Sequence, residues 1–269
     1  MLVKELPYVG RILAPNPSMM TGKGTNTYIF GGSDLAVLDP GPDDDAHIDA
    51  IEAGIAEMGG TVAIILITHS HSDHLPGAFS LQRRLQVPIA AFAPILGVDL
   101  ALRHDQRMTI GGHPLRALHT PGHAADHLAF LLENDHVLFS GDLIVGEGTV
   151  VIGRDGELDE YLDSLRSLLP LDLRLILPGH GPAITDPRAR VEEYIAHRLA
   201  RENQILDALN HGASTTAEIV AEVYAEIDPR LHPVAAQSVD AHLRKLIRES
   251  RLTTYLEDNT THYEVTSSE

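Results

Sequence analysis

The chain has 269 residues, of which 43% are hydrophobic and 22% are charged, and it contains no cysteine. These proportions are those of ordinary globular proteins, so a disordered or fibrous chain is disfavoured, and disulfides, thiolate ligands and a cysteine nucleophile are excluded. The formal net charge of −18 argues against a broad polyanion-binding surface, because phosphate backbones are bound chiefly by lysine and arginine.

The N-terminal segment MLVKELPYVGRILAPNPSMM has no continuous apolar stretch of signal-peptide length. No later run reaches the ~20 apolar residues that a membrane-spanning helix needs. We therefore expect a cytoplasmic protein that does not enter a membrane.

Short β-like runs alternate with helical ones from the start of the chain to about residue 184. The strand candidates, in chain order, are NTYIFGG, LAVLDPG, VAIILIT, LRALHTPG, HLAFLLE, HVLFSGD and LILPGH. Helices are predicted at about 44–58, 77–86 and 158–168. This alternation indicates an α/β layered fold, in which ligand sites gather at the ends of strands.

The pattern changes at about residue 188 to three long helical segments followed by RLTTYLEDNTTHYEVT, a hairpin with EDNT at its turn. We predict a domain over residues 1–187 that carries the chemistry. Residues 188–269 are predicted to form a helical linker and a small winged-helix-like α+β domain.

The third of these helices and its end carry a cluster of positive charge, formed by Arg244, Lys245, Arg248 and Arg251. A solvated helix face and contact with nucleic acid explain this cluster equally well. Both interpretations stay open at the level of sequence.

The segment THSHSDH follows the wholly apolar strand candidate VAIILI. Alternate residues of a strand share a face, so His69 and His71 can chelate one ion. Asp73 and His74 then lie on the turn into the next helix, where they are placed to bind a second ion. A histidine-rich surface loop would explain any two of these residues but explains all four poorly.

Three further candidate ligands follow apolar strands much later in the chain. They are His123 in HTPGH, Asp142 in FSGD and His180 in LPGHG, each at or near a glycine that allows close backbone approach. Together the four segments supply the ligands that a two-metal site needs.

In these motifs the sequence resembles the metallo-β-lactamase superfamily. The resemblance implies a four-layer αββα sandwich with the site at one edge. It also implies that one metal is bound by His69, His71 and His123, that the other is bound by Asp73, His74 and His180, and that Asp142 bridges the two.

The chain resembles one branch of this superfamily, the beta-lactamase-like protein 2 branch, through NPSMMTGKGTNTYIF, TPGHAADH, GDLIVGEGT, LPGHGPAI and the C-terminal region. Members of that branch include endoribonucleases that act on single-stranded RNA. The acidic composition of this chain departs from what RNA binding favours.

Two divalent cations can share a water, lower its pKa and deliver hydroxide to an electrophilic carbon or phosphorus. Zinc suits the imidazole-rich set, and Mn²⁺ or Fe²⁺ is compatible with it. Asp73 is expected to orient the hydroxide besides binding metal, and Asp142 to fix the metal spacing. His127 is either a supporting residue or one that bonds substrate or delivers a proton.

The resemblance to that branch and the positive cluster on the third helix favour a phosphodiester of single-stranded RNA as the substrate. The alternatives are hydrolysis of a small ester, thioester or lactone, and a non-enzymatic winged-helix regulator with a structural metal site. A homodimer is also compatible with the apolar residues of the last helices.

Overall fold

The computed structural model describes residues 1–92 and 97–266. Two β-sheets lie face to face, helices cover their outer faces, and a smaller helical domain with a hairpin follows at the C-terminus. The expected four-layer αββα sandwich and the winged-helix-like appendage are both confirmed.

The first sheet has seven strands that lie side by side in chain order. They are β1 Val3–Leu6, β2 Val9–Leu13, β3 Asn26–Gly31, β4 Asp34–Leu38, β5 Thr61–Leu66, β6 Ile89–Phe92 and β7 Leu100–Leu102. Strands β1 to β4 pair antiparallel, whereas β4 to β7 pair parallel.

The second sheet has five strands in the order β12-β11-β10-β9-β8. They are β8 Arg107–Ile110, β9 His113–His119, β10 Leu128–Leu132, β11 Val137–Gly141 and β12 Leu175–Pro178. Only β11 and β12 pair parallel. The central strands β10 and β11 are buried along their whole length, in agreement with their apolar sequences.

The three predicted helices of this domain are confirmed as α1 Asp45–Met58, α2 Pro76–Leu85 and α3 Leu158–Leu168. The side chain of Asp44 caps α1 by accepting a 2.8 Å hydrogen bond from the backbone N–H of His47. Pro76 occupies the first turn of α2, where its missing N–H costs nothing.

Apolar side chains fill three layers. The middle layer joins the two sheets, where the rings of Phe30 and Phe139 stack with centroids 4.7 Å apart. Helices α1 and α2 close the outer face of the first sheet, and α3 closes that of the second. The open edge between the sheets is left for polar loops.

The C-terminal region contains α4 Pro187–Asn210, α5 Thr216–Val223, a short 3-10 helix Pro229–Leu231, α6 His232–Arg248, β13 Leu252–Glu257 and β14 Thr260–Val265. The hairpin turn is formed by Asp258 and Asn259, both at positive φ, as a two-residue turn of this kind requires. The predicted hairpin is thus found at the predicted place.

Helix α4 belongs to two cores. Val191 and Tyr194 pack with the second sheet and α3, whereas Ile205 and Leu209 pack with α5 and α6. The division of the chain at residues 187 and 188 stays a prediction, since this one helix is shared.

The positive cluster on α6 is not a free surface. Arg244 donates to the carbonyl oxygens of Gly153 at 2.9 Å and Gly156 at 3.0 Å, and Arg248 contacts Glu157 and Asp159 at 2.6 Å each. Both arginines therefore bind the C-terminal domain to the loop before α3 and to the first turn of that helix.

The other two members of the cluster pair within the C-terminal domain. Lys245 and Arg251 each contact the buried carboxylate of Glu202 at 2.7 Å. All four cations thus have intramolecular partners, and the side chains of Arg248 and Arg251 are also 40% and 44% exposed.

None of the helices within the described residues combines the length and apolar character that a bilayer span requires.

Candidate metal centre

All seven candidate ligands lie on loops at one edge of the sandwich. The THSHSDH segment occupies the connection between β5 and α2, His123 the connection between β9 and β10, and Asp142 and His180 the exits of β11 and β12. Asn26 joins the two sheets here, because its side-chain amide donates to the carbonyls of Pro178 and Gly181 at 2.9 Å.

A first group contains three histidines. Nδ1 of His71 lies 3.0 Å from Nε2 of His69 and 3.0 Å from Nε2 of His123. Tetrahedral coordination with metal–nitrogen bonds of about 2.0–2.1 Å separates ligand nitrogens by roughly 3.3 Å. The three nitrogens therefore converge at close to the spacing of ligands on one cation.

A second group contains Asp73, His74 and His180. The Nε2 atoms of His74 and His180 are 3.3 Å apart, and Oδ2 of Asp73 lies 3.2 Å from Nε2 of His180. The sequence places His180 more than a hundred positions from the other two, and the fold brings all three together.

Asp142 lies between the two groups. Its Oδ1 is 3.5 Å from Nε2 of His74 and 3.4 Å from Nε2 of His180, whereas its Oδ2 is 3.7 Å from Nε2 of His123. Oδ1 is buried and accepts no hydrogen bond from the described residues. A buried carboxylate oxygen without a donor is well suited to a cation.

The ring nitrogens that face away from the centre are held by hydrogen bonds, which fixes each ring. Nδ1 of His74 donates to Asp39 at 2.9 Å, and the hydroxyl of Thr68 donates to the same carboxylate oxygen at 2.7 Å. Nδ1 of His69 then donates to the Thr68 oxygen at 3.0 Å. Buried Asp39 thus orients two histidines.

The remaining rings are held by loops. Nδ1 of His123 donates to the carbonyl of Val151 at 2.9 Å, and Nε2 of His71 donates to Asp155 at 2.7 Å. Both acceptors belong to the long loop between β11 and α3, which the C-terminal domain holds in place.

The two groups differ in electrostatics. Burial lowers the pKa of His69 and His123, so both rings are neutral and present a lone pair. Burial also opposes the charged form of His180, but Asp142 and Asp73 outweigh it and raise the pKa of His180 to about 9. The carboxylates therefore stabilise positive charge among these side chains, as a divalent cation requires.

His127 does not reach the open side of the centre. It is fully buried, its Nδ1 bonds the hydroxyl of Thr120 at 2.8 Å, and its Nε2 accepts from the backbone N–H of Asp142 at 3.1 Å. This placement favours the supporting role over the catalytic one, because the ring contacts the backbone of Asp142 and is not among the residues that line the cavity.

Two glycines of the motifs are required by close approach. A Cβ at Gly141, which has φ of +49°, would lie 2.7 Å from Nε2 of His127. A Cβ at Gly179 would lie 2.6 Å from Oδ1 of Asp142. The expected role of glycine beside the ligands is confirmed at these positions.

Asp39 and Asp155 were not anticipated from the sequence. Asp39 follows a buried strand in LAVLDPG, just as Asp142 follows one in HVLFSGD. This shared position is the sequence signal that could have identified Asp39. Asp155 stands in the loop segment GRDGE, which carries no periodic signal.

A cavity of about 1240 Å³ opens over Asp73, Asp142 and His180. Residues 19–23 and 147–149 are among those that line it. The far wall comes from the C-terminal domain and includes Tyr224, Ile227, Leu231, Val234 and Ser238.

Known proteins show the same organisation. The metallo-beta-lactamase superfamily matches residues 20–98 and 90–180, and the beta-lactamase associated winged helix domain matches residues 215–253. The crystal structure of a metallo-beta-lactamase family protein from Thermus thermophilus superposes with a TM-score of 0.80 at 26% identity, over 97% of this chain and 99% of that chain.

Two relatives are similar over most of their length. A beta-lactamase-like protein 2 homolog from Drosophila melanogaster is 36% identical over 262 residues, 90% of this chain and 88% of that protein. An atrochrysone carboxyl ACP thioesterase from Passalora fulva is 33% identical over 261 residues, 91% of this chain and 77% of that protein.

The fold, the converging ligands and these similarities agree: the chain belongs to the metallo-beta-lactamase superfamily. It is accordingly a metal-dependent hydrolase of that superfamily, and its cluster of histidines and aspartates is suited to divalent cations.

Proposed function

We propose that the protein hydrolyses a thioester at a centre of two divalent cations, most suitably Zn²⁺, with Mn²⁺ or Fe²⁺ compatible. His69, His71 and His123 would bind one cation, and Asp73, His74 and His180 the other. Asp142 would bridge them. The observation that carries this assignment is its buried Oδ1, which has no hydrogen-bond donor among residues 1–92 and 97–266.

Two bound cations would supply a nucleophile at neutral pH by lowering the pKa of water, and would polarise the substrate carbonyl. The chain supplies orientation and the route for a proton. The carboxylate of Asp73 lines the cavity and is one-quarter exposed, so it can accept a proton from the attacking water. The water oxygen bonds the acyl carbon, the carbon–sulfur bond breaks, and the sulfur leaves as a thiol after taking up that proton.

The choice of a thioester has two supports. Relatives from Passalora fulva and Aspergillus chevalieri that carry the name atrochrysone carboxyl ACP thioesterase are 33% and 35% identical to this chain. The cavity is larger than the roughly 300–1,000 Å³ of an ordinary small-molecule site, and apolar side chains such as Met19, Val150 and Ile227 line it beside polar ones.

Single-stranded RNA remains the second candidate, through the resemblance to the beta-lactamase-like protein 2 branch. Its support from charge is weaker than the sequence suggested, because Arg244, Lys245, Arg248 and Arg251 are used in intramolecular contacts. The net charge of −18 also disfavours binding of RNA, because it repels the phosphate backbone.

The test is a substrate panel with metal analysis. Zinc-loaded full-length protein is assayed against acyl thioesters, lactones, a single-stranded RNA and a generic phosphodiester, and bound metal is counted by elemental analysis. We expect thioester hydrolysis with two metals per chain. RNA cleavage without thioester hydrolysis would favour the second candidate, and no hydrolysis of any substrate would refute both.

The variant Asp142→Ala is expected to lose at least one metal equivalent and the hydrolysis. Asp163→Ala is the matched control, because Asp163 is an exposed carboxylate on α3 that pairs only with Arg166 among the described residues. Turnover retained by Asp142→Ala would contradict the bridging role.

A further inference from the structure

Two arginines of α4 lie in the wall of the cavity that opens over the metal centre. Arg198 is 3% exposed, and one of its guanidinium nitrogens donates to the carbonyl of Val150. Arg201 donates to the carbonyl of Val223 at 3.0 Å, and its guanidinium carbon lies 4.1 Å from the ring centroid of Tyr224. Both side chains are thus held in fixed positions.

Neither arginine has a carboxylate partner in the part of the chain that the structure describes. Within residues 1–92 and 97–266 no aspartate or glutamate oxygen lies within 4 Å of either guanidinium group. Nε of Arg201 is buried without any acceptor in that part of the chain. Buried cations without a counter-charge are costly, so proteins normally pair them.

The contrast with the rest of the chain is informative. The chain has 38 acidic residues for 20 basic ones, so carboxylates are in excess. Lys245 and Arg251, on neighbouring elements, share the carboxylate of Glu202 at 2.7 Å. Some exposed cations, such as Arg103 and Arg154, also have no such partner among the described residues, but Arg198 is buried and Arg201 half-buried.

Two neighbouring histidines are affected by this positive charge. Burial and the charge of Arg198 lower the pKa of His197 and take the pKa of His242 to about 3. Both ring nitrogens of His242 are buried without a hydrogen-bond partner among the described residues. His197 lines the cavity beside Arg198 and Arg201.

We propose that Arg198 and Arg201 bind an anionic oxygen group of the substrate while the scissile bond lies over the metal centre. The planar guanidinium group can donate two parallel hydrogen bonds to a carboxylate or a phosphate. The ring of Tyr224 stacks against the guanidinium group of Arg201. The site is adjacent to the first histidine group, because Arg198 contacts Val150 and the next carbonyl, that of Val151, accepts from His123.

This proposal rests on thioester hydrolysis and specifies the substrate class as anionic. The anion has two possible sources, a carboxylate on the acyl chain or a phosphate on the thiol part. Rates with succinyl and butyryl N-acetylcysteamine thioesters compare the first source with a neutral reference. Rates with butyryl-pantetheine and its 4′-phosphate compare the second.

We expect the wild-type protein to prefer one of the two charged substrates in kcat/KM by about tenfold or more, the value of a charged hydrogen-bonded pair. Arg201→Gln should reduce that preference to near unity, and Arg201→Lys should restore part of it. Arg188→Gln is the matched control, since Arg188 is exposed on the same helix and pairs with Glu192 outside the cavity. Melting curves establish that each variant is folded.

An unchanged preference in folded Arg201→Gln, or no preference for either charged substrate, overturns the proposal. If no thioester is hydrolysed, calorimetry distinguishes a failure of the proposed hydrolysis from a failure of the anion site. Succinate and 4′-phosphopantetheine are titrated into the zinc-loaded wild-type, Arg201→Gln and Arg188→Gln proteins. Weaker binding of either ligand to Arg201→Gln alone still supports the anion site. Equal binding to all three proteins removes it.

Discussion

The carboxylate of Asp155 accepts a 2.7 Å hydrogen bond from Nε2 of His71, across 84 positions of the chain. The opposite ring nitrogen, Nδ1, is directed at His69 and His123. His71 is about one-third exposed in its side chain, so Asp155 is what restrains a ring that burial alone does not hold.

The first prediction concerns this restraint. Asp155→Ala is expected to weaken metal binding at the first histidine group by about 10–100-fold, because an unrestrained ligand ring binds less tightly. Competition with a chromophoric chelator measures the affinity. Asp172→Ala, which removes an exposed carboxylate remote from the cavity lining, is the control. Equal affinity in wild type and Asp155→Ala would show that the hydrogen bond is not needed.

A second prediction concerns the C-terminal domain. Arg244 holds the carbonyls of Gly153 and Gly156, on both sides of Asp155, from a helix about ninety residues later. Arg244→Met should loosen this loop and so weaken the restraint that Asp155 places on the ring of His71. We expect the metal affinity to fall by about tenfold. The same chelator competition checks it.

Arg230→Met is the control for this second variant, since Arg230 is an exposed arginine of the same domain that pairs with Asp228. Arg244→Lys keeps the charge but replaces the planar fork by a single ammonium, so its affinity should be intermediate. A normal metal affinity in Arg244→Met would mean that the loop holds its shape without the C-terminal domain.

A third prediction concerns the buried ion pairs of the C-terminal domain. Glu202 is 5% exposed and is the shared partner of Lys245 and Arg251. Glu202→Leu leaves Lys245 buried with only Glu249 at its side, and should lower the free energy of unfolding by about 3 kcal/mol. Urea unfolding followed by circular dichroism measures this. Glu192→Leu, on the exposed side of the same helix, should change it far less.

A fourth prediction concerns the pH dependence of stability. Burial lowers the pKa of His47 from 6.5 to about 4 in the folded protein. Between these values the unfolded chain binds a proton that the folded chain does not, so stability is present above pH 6.5 and falls as the pH falls toward 4. The loss attributable to this group is up to about 3 kcal/mol.

Urea midpoints for the wild type and for His47→Gln across that pH range test the fourth prediction. The variant should show a shallower decline than the wild type, whereas the exposed His211→Gln should follow the wild type. Identical slopes in wild type and His47→Gln would assign the acid sensitivity to other groups.

The candidate ligands could be found from the sequence because each lies in a short motif at the end of an apolar strand. His69, His71, Asp73 and His74 fall within six residues, and strand exits of a layered α/β fold meet at one edge. The helices α1, α2 and α3 were placed to within one residue, since caps, a first-turn proline and apolar periodicity are all local signals.

The role of the α6 cations could not be found in this way. Arg244, Lys245, Arg248 and Arg251 lie on one helix and its end, and a helical pattern looks the same whether its charges meet solvent, nucleic acid or the chain itself. Apart from the nearby Glu249, the partners described above lie 43 to 91 residues away in sequence, with no periodic relation to these cations.

The sequence by itself thus determined the layered fold, the appended domain and the candidate metal ligands. Local periodicity and motifs of a few residues are sufficient to indicate these features. Only the tertiary structure decided which side chains orient the ligands, that His127 is buried behind Asp142, and that Arg198 and Arg201 face the cavity without a counter-charge among the described residues. These are properties of packing between distant segments, and the energy of a buried charge depends on neighbours that the linear order does not specify.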